Sequence, residues 1–310
     1  MSLLVVGTVA FDTIETPFGR ADRILGGSAT YASLSARLLA DPVMLNAVVG
    51  ADFPDEHIET LRDRGVDLDG LVQDPDGQTF FWAGRYHHDL NTRDTLATHL
   101  NVLATFSPDL PAHYRAPRIL ALGNLDPTIQ GLVIDQASEG GAPDLVLADT
   151  MNFWIGQTPE ALAATLARVD VLLVNDEEAR ELAGVPNLFK AAEIVRAMGP
   201  KTLIIKKGEH GALLFHDEAV FSVPAYPVED VVDPTGAGDT FLGGLAGHLL
   251  RTGRTDLDAM KGAVVIGSAL ASFVVEAFGP ERLLDVTPDQ LRERVAAFHA
   301  MSAIPQELFV

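Results

Sequence analysis

The stretch that decides the fold is DVVDPTGAGDTFLGG, residues 230–244, in which a glycine-rich turn leads into small and apolar residues. The run DTFLGGLAGHLL that follows the turn favours a helix beginning next to Asp239. The first turn of a helix has unpaired backbone N–H groups at the positive end of the dipole, and these groups attract anions. Asp239 would therefore lie beside an anion site, which raises the possibility of phosphoryl chemistry.

The length and composition set limits on the rest. A chain of 310 residues has room for one large α/β domain or two ordinary ones. It has no cysteine, which excludes disulfides, thiolate metal sites and a cysteine nucleophile. It has no run of eighteen apolar residues, and the N-terminus enters an apolar strand without a basic leader. We therefore predict neither a membrane span nor a secretory signal, and expect a cytoplasmic protein.

The charge balance is strongly acidic, with a formal net charge of −21. Binding to nucleic acid or to an anionic membrane needs a basic face, so we predict neither partner. An anionic small substrate stays compatible with this charge, because a local nest of backbone N–H groups can override the global field.

Strand-length apolar runs alternate with helix-period segments along most of the chain. Several runs are continuously apolar, as expected of parallel strands buried on both faces. Alternation of this kind predicts a three-layer αβα fold with a mostly parallel central sheet. The runs are SLLVVGTVA, VMLNAVVG, RILALGN, DLVLADT, DVLLVND, TLIIKKG and GALLFH.

Two segments break this alternation and read as short antiparallel strands, FDTIETPFGRADRIL and GQTFFWAGRYHHDLNTRDTLATHL. We expect these insertions, at about 12–25 and 78–105, to form a small β-sheet lid over one edge of the main sheet. No internal repeat or low-complexity linker interrupts the chain, so we predict a single domain over residues 1–310.

Taken alone, the turn GAGDTF permits several interpretations. It fits G-x-G-x-x but ends in Phe241, so it lacks the third glycine of a dinucleotide-binding fingerprint, and the chain has no GK[ST] P-loop. An ordinary helix start with an exposed acid in its first turn would have the same sequence.

In context, DPTGAGDTF resembles the C-terminal signature of the PfkB (ribokinase-like) family of carbohydrate and nucleoside kinases. Three other features of that family occur in this chain, in the same order along the sequence as in the family. The resemblance extends from residue 7 to about residue 280. They are a glycine pair opening a helix (Gly26 and Gly27), an N-x-x-E after a central strand (Asn175 and Glu178), and a strand followed by K-x-G-x-x-G (Lys206 or Lys207, Gly208 and Gly211).

This resemblance implies a ribokinase-like fold and a catalytic role for the turn. Asp239 would be the general base that takes the proton from a substrate hydroxyl as it attacks the γ-phosphoryl group of ATP. The backbone amides of Gly236, Ala237, Gly238 and Asp239 would form an anion hole for the charge that develops there.

The resemblance also implies sites for the nucleotide and for Mg²⁺. Lys207, Gly208 and Gly211 would lie near the nucleotide, although the same segment also fits a tight hairpin. Asn175 and Glu178 would hold Mg²⁺ and phosphate through water, because Mg²⁺ gives up its hydration reluctantly. A solvated helix acid is the alternative interpretation of Glu178.

A monovalent cation, usually K⁺ in this family, would lie between the loop of Asp233 and Thr235 and the loop of Gly279. Thr235 would in addition lie against the nucleotide. The alternative interpretation of Asp233 is structural, as a residue that forms the turn before Pro234.

For the sugar site, Asp12 matches an N-terminal aspartate that accepts hydrogen bonds from two sugar hydroxyls in the family, and its two carboxylate oxygens suit a vicinal diol. The alternative interpretation of Asp12 is a strand-end acid facing solvent. Gly26 and Gly27 would let the sugar approach the backbone. The family often has an asparagine four positions after the second glycine, whereas this chain has Tyr31. That departure brings a plain ribose or fructose pocket into question.

Further substrate contacts are expected from Arg93, on closure of the lid, and from Asn124. Phe80, Phe81, Trp82 and Tyr86 place several aromatic rings in the lid, where they would either stack on a nucleobase or attach the small sheet to the main one. The segments GGSATY and GRYHHDLNTRDTL are similar to a nucleoside kinase subgroup of the family.

The sequence therefore predicts an ATP- and Mg²⁺-dependent kinase that phosphorylates the primary hydroxyl of a ribose-type sugar or a nucleoside, with K⁺ as a further cofactor. The alternative is a non-catalytic ribokinase-like sensor of a sugar or nucleotide. A homodimer formed through the lid is a further expectation.

Overall fold

The computed structural model describes residues 2–303 and contains a large sheet of nine strands. All neighbouring strands in this sheet are parallel except the three at one edge, where β11, β12 and β13 pair antiparallel. The predicted mostly parallel sheet is confirmed. In spatial order the strands are β13 (Ala219–Val223), β12 (Ala212–His216), β11 (Thr202–Lys206), β10 (Val171–Asn175), β9 (Leu145–Asp149), β8 (Ile119–Leu122), β1 (Leu3–Val6), β4 (Val43–Gly50) and β5 (Val66–Asp74).

Helices cover both faces of this sheet and make it the middle layer of three. The helices are α1 (Ser28–Arg37), α2 (Asp55–Asp63), α3 (Pro127–Ala137), α4 (Asn152–Gln157), α5 (Pro159–Leu166), α6 (Asp176–Ala183), α7 (Leu188–Arg196), α8 (Ala237–Thr252), α9 (Leu257–Val274), α10 (Glu281–Asp285) and α11 (Pro288–Ser302).

The central strand β1 shows how the two cores form. Leu3 and Val5 point into a core shared with α1, α8 and α9, whereas Leu4 and Val6 point into a second core shared with α3, α5 and α7. Alternate residues of a strand face opposite sides of a sheet, so a strand buried on both sides must be apolar throughout. The continuous apolar runs in the sequence are explained by this layering.

Helix α9 is long and apolar enough to cross a membrane by length and composition alone. Most of it is buried inside the protein, where it packs along α8 and α11. We interpret α9 as a core helix.

The small sheet contains the two segments that break the alternation. Its order is β3 (Gly19–Gly26), β2 (Ala10–Thr16), β6 (Phe81–Tyr86) and β7 (Arg93–His99). The pairs β2–β3 and β6–β7 are antiparallel, as expected, but β2 and β6, which join the two segments, are parallel.

The N-terminal run SLLVVGTVA divides between the two sheets instead of forming one strand. β1 ends at Val6 and β2 begins at Ala10. Gly7 lies at this break, and a Cβ there would be 2.5 Å from Ser28 Oγ, so α1 packs against bare backbone. The same short stretch of chain thus belongs to the core and to the small sheet.

Candidate active site

The turn before α8 has the geometry of an anion site. Gly236 precedes the helix with φ of 76°, a left-handed conformation that favours glycine. The first intrahelical bond runs from Thr240 N–H to Gly236 C=O at 2.8 Å. The N–H groups of Gly238 and Asp239 come before this bond, at the positive end of the helix dipole.

The carboxyl group of Asp239 lies in this first turn and is only partly accessible. Burial, reinforced by the negative charge of Asp149, raises the pKa of Asp239 to about 7. The positive charges of Lys206 and Arg93 act in the opposite direction. A carboxylate that titrates near neutral pH is suited to accept a proton from an alcohol during attack.

Lys206 and Asp149 form a tight ion pair beside the turn. Lys206 Nζ donates to Asp149 Oδ2 at 2.6 Å, and Thr150 N–H donates to Asp149 Oδ1 at 2.8 Å. Burial disfavours the charged ammonium group, but Asp149 and Glu178 raise the pKa of Lys206 above its ordinary value. A Cβ on Gly238 would lie 2.9 Å from Lys206 Nζ, so the absence of a side chain there lets the ammonium group approach the turn.

Sequence analysis did not single out Asp149, and of the two lysines in the motif it assigned Lys207, not Lys206, to the site. Asp149 and Lys206 are the last residues of β9 and β11, and Asn175 is the last residue of β10 between them. The carboxyl ends of parallel strands form one edge of the sheet, where α/β proteins place ligands. The sequence signal that could have identified both residues was a polar residue at the end of an apolar strand.

Asn175 and Glu178 are held together by a capping box at the start of α6. Asn175 N–H donates to Glu178 Oε2 at 2.7 Å, and Glu178 N–H donates to Asn175 Oδ1 at 2.8 Å. Burial, together with the charge of Asp149, raises the pKa of Glu178. Glu178 is 7% exposed, which does not fit a solvated helix acid.

Asp12 enters the cleft from strand β2 of the small sheet. It is 5% exposed, and burial, reinforced by the charges of Asp233 and Asp239, raises its pKa to about 7. A Cβ on Gly26 would be 2.0 Å from Asp12 Oδ2, and one on Gly27 would be 2.4 Å from Thr8 O. The glycine pair therefore makes room for Asp12 and for the neighbouring backbone. Sequence analysis had instead expected this space to admit a sugar.

The small sheet contacts two loops outside it, the loop that carries Thr235 and the turn that carries Gly208. Thr235 Oγ1 donates to the hydroxyl of Tyr86, at the end of β6, at 3.1 Å. In the loop between β6 and β7, Asn91 lies so close to Gly208 that a Cβ on this glycine would be 2.7 Å from Asn91 Oδ1. Arg93 is exposed, and its positive charge partly offsets the raised pKa of Glu178 and of Asp239, so it lies within electrostatic reach of both carboxyl groups.

The two loops predicted to hold a monovalent cation lie together. Asp233 is fully buried, with Oδ1 accepting from Thr235 N–H at 2.8 Å and Oδ2 accepting from Gly279 N–H at 3.3 Å. Both oxygens are used to join the loops, so a cation there would be held by backbone carbonyl groups.

The remaining predicted residues have mainly structural contacts. Lys207 N–H donates to Gly211 C=O at 2.8 Å, which closes the turn between the antiparallel strands β11 and β12; the hairpin interpretation of this segment is therefore correct. Asn124, after β8, accepts from Trp154 Nε1 at 2.8 Å and places its Nδ2 2.9 Å from Met151 Sδ. These bonds fix the orientation of its amide group.

Comparison with known proteins agrees with this geometry. The profile of the pfkB family of carbohydrate kinases matches residues 4–286. The chain belongs to this family.

Among its relatives, a cytidine kinase from Thermococcus kodakarensis is 30% identical over 251 residues, which covers 80% of this chain and 88% of that protein. A 2-dehydro-3-deoxygalactonokinase from Haloferax volcanii is 31% identical, with 92% of this chain and 91% of that protein covered. Aminoimidazole riboside kinase from Salmonella enterica, solved with aminoimidazole riboside and an ATP analog, superimposes with a TM-score of 0.78 at 25% identity, covering 95% of this chain and all of that one.

The protein is therefore a sugar or nucleoside kinase, a phosphotransferase with an alcohol group as acceptor, on a ribokinase-like fold. Nothing in the cleft or the comparisons favours the alternative of a non-catalytic sensor. The family implies ATP and Mg²⁺, and carboxylate oxygens such as those of Glu178 are of the kind that the hard Mg²⁺ ion prefers.

The buried charge of Asp239 leads to a prediction about stability. Because the pKa of Asp239 is higher in the folded protein than in the unfolded chain, its contribution to stability declines as pH rises from about 4 to about 7. We expect Asp239→Asn, which carries no charge, to raise Tm by about 2–6 °C at about pH 8. The gain should shrink towards pH 5, where the native carboxyl group is protonated.

Thermal unfolding at both pH values measures this effect, with the exposed Asp76→Asn as control. A change in Tm that does not depend on pH, or a loss of stability at the higher pH, would contradict the cause assigned to the pKa shift.

Proposed function

We propose that the protein transfers the γ-phosphate of ATP to the primary hydroxyl of a nucleoside. The observation that carries this proposal is one cleft in which Asp12, from the small sheet, lies within electrostatic reach of Asp239, at the start of α8. Asp12 is suited to hold a sugar diol, and Asp239 to deprotonate a nearby alcohol.

In the proposed reaction, Asp239 accepts the proton of the primary hydroxyl as its oxygen attacks the γ-phosphorus. The bond from this phosphorus to the bridging oxygen breaks, and ADP leaves. The N–H groups of Gly236, Gly238 and Asp239 would stabilise charge on the transferring group, with the ammonium group of Lys206 beside them; Ala237 N–H would join them only by giving up its bond to Pro234 C=O at 3.3 Å.

Glu178 and Asp149 would hold hydrated Mg²⁺, which neutralises phosphate charge when bound. Asn175 fixes Glu178 through the capping box. Lys207, Gly208 and Gly211 would line the nucleotide, next to Thr235. Arg93, on the phosphoryl side, would bind phosphate when the small sheet, as a lid formed by about 12–25 and 78–105, excludes water.

A nucleoside is favoured over a free sugar by the position of Trp82. Trp82 pairs with Asp12 across the parallel strands β2 and β6, so both side chains are on the same face of the small sheet. The indole lies across Gly84, where a Cβ would be 2.1 Å from Trp82 Cη2. A flat ring beside the diol site offers a stacking surface for a nucleobase, with Asn124 as a polar contact.

The cleft is also better suited to a neutral acceptor than to a sugar acid. The charges of Asp233 and Asp239 raise the pKa of Asp12, and all three carboxylates raise the pKa of Tyr31, so the local field is negative. An acceptor with its own carboxylate would be repelled from this region. The neutral cytidine of one relative fits this field better than the acidic sugar of another.

K⁺ and self-association complete the proposal. The joined loops of Asp233 and Gly279 would hold K⁺ through backbone carbonyls, and turnover in K⁺ compared with tetramethylammonium tests this.

Strand β7 is an almost fully exposed edge, with Leu96 49% exposed, which fits a homodimer through the small sheet. Light scattering in solution would show a monomer if this is wrong. We expect the enzyme in the cytoplasm, and neither nucleic acid nor membrane as a partner.

The base is tested by Asp239→Asn. We expect kcat to fall by about 10²–10⁴-fold with little change in KM, because only proton acceptance is lost. In the wild type, kcat/KM should rise with pH through about 7, because the base must be ionised to act. Steady-state kinetics over pH measures both effects. Turnover close to wild type in this variant would contradict the proposed role.

The base-stacking role is tested by Trp82→Ala, with Phe81→Ala as the matched control. Phe81 is the adjacent aromatic residue on the opposite face, where it stacks on His99. Loss of stacking should raise KM for nucleosides by about 5–100-fold in the Trp82 variant only, and leave kcat/KM for D-ribose nearly unchanged. Equal losses for nucleosides and ribose, or equal effects of the two variants, would contradict nucleobase stacking.

A further inference from the structure

The hydroxyl group of Tyr31 is buried without a hydrogen-bond partner among the described residues. Tyr31 is 1% exposed and lies in the first turn of α1, four positions after the second glycine of the pair. An unpaired buried hydroxyl costs about 1–3 kcal/mol relative to a satisfied one. An unpaired buried hydroxyl in a folded protein needs an explanation. One explanation is a ligand that supplies the missing hydrogen-bond partner.

The two other tyrosines buried to a similar degree are satisfied. The hydroxyl of Tyr86 accepts from Thr235 Oγ1, and the hydroxyl of Tyr114 donates to Asp67 Oδ1 at 2.7 Å and accepts from Gly70 N–H at 3.2 Å. Tyr31 is therefore the exception among these three, and its hydroxyl is within electrostatic reach of Asp12, Asp233 and Asp239.

The ring of Tyr31 supports the turn that carries Asp239. A Cβ on Gly236 would be 2.5 Å from Tyr31 Cε2, so the ring packs directly against this glycine. The ring therefore lies against the turn at the start of α8.

The surroundings make this hydroxyl a donor at any working pH. Burial, followed by the charges of Asp12, Asp233 and Asp239, raises the pKa of Tyr31 well above its ordinary value. After burial, Asp12 has the largest influence of any group on this hydroxyl. The phenol therefore keeps its proton, and it lies near the carboxylate assigned to the sugar diol.

A sugar hydroxyl matches both groups at once. A carboxylate only accepts hydrogen bonds, whereas a sugar hydroxyl donates one and accepts others. A ribose hydroxyl that donates to Asp12 still has lone pairs, and these are what a phenolic O–H can bind.

We propose that Tyr31 determines specificity by donating a hydrogen bond to one ribose hydroxyl of the acceptor, the hydroxyl that also donates to Asp12. This inference rests on the proposed nucleoside kinase function. A deoxy analogue that lacks this hydroxyl would leave both protein groups unpaired, so the enzyme would discriminate strongly against it.

The test compares wild type and Tyr31→Phe, which keeps the supporting ring, on cytidine and adenosine and on their 2′-deoxy and 3′-deoxy analogues. For the ribonucleosides, Tyr31→Phe should lower kcat/KM by about 5–100-fold, mainly through KM. For one of the two deoxy analogues the penalty should disappear, because the bonded hydroxyl is already missing. For the other analogue it should persist.

Tyr114→Phe is the matched control, because it removes a buried hydroxyl that has partners and lies outside the cleft. We expect it to lower Tm and to leave the ratios between ribonucleosides and deoxynucleosides unchanged. Tyr31→Phe should instead keep or raise Tm without ligand, because the hydroxyl it removes is unpaired.

An equal penalty on every nucleoside, or none on any, would overturn the role of Tyr31 while leaving the kinase function intact. A marked loss of Tm in Tyr31→Phe would overturn the premise of an unpaired hydroxyl. A wild-type enzyme that phosphorylates none of the nucleosides would overturn the proposed function and this inference together.

Discussion

The ion pair between Lys206 and Asp149 is the interaction on which the arrangement of the cleft depends. It joins the ends of β9 and β11 across β10, and it holds a positive charge against the glycine turn of α8. Without it, Glu178, Asp149 and Asp239 would form a cluster of buried negative charge with little compensation. The ammonium group keeps these carboxylates compatible with one another before any phosphate or metal ion is bound.

Burying several carboxyl groups in one cleft has an energetic cost that the rest of the fold must offset. Asp12 and Asp239 both have pKa values raised to about 7, so keeping either group ionised at neutral pH costs more than it would for an exposed carboxyl group. The apolar cores on the two faces of the large sheet stabilise the fold and offset this cost. Sites that need such charges are commonly less stable than the protein around them.

Much of this could be predicted from the sequence, because local patterns encode it. Continuous apolar runs predicted the parallel sheet, and the turn before Asp239 predicted the helix start. Asp149 and the choice of Lys206 were harder, since both depend on which strands become neighbours. The parallel pairing of β2 with β6 and the filling of the space over Gly26 by Asp12 are also consequences of tertiary packing, and no local pattern encodes them.

The short connection between β1 and β2 has a mechanical consequence. Only residues 7–9 separate the central strand of the large sheet from the strand that carries Asp12. Any swing of the small sheet must pivot near this tether, so Asp12 travels least, and the far edge, with Arg93, travels most. Under the proposed function, the carboxyl group assigned to the sugar would then stay nearly stationary, while the guanidinium group assigned to phosphate would move with the edge of the small sheet.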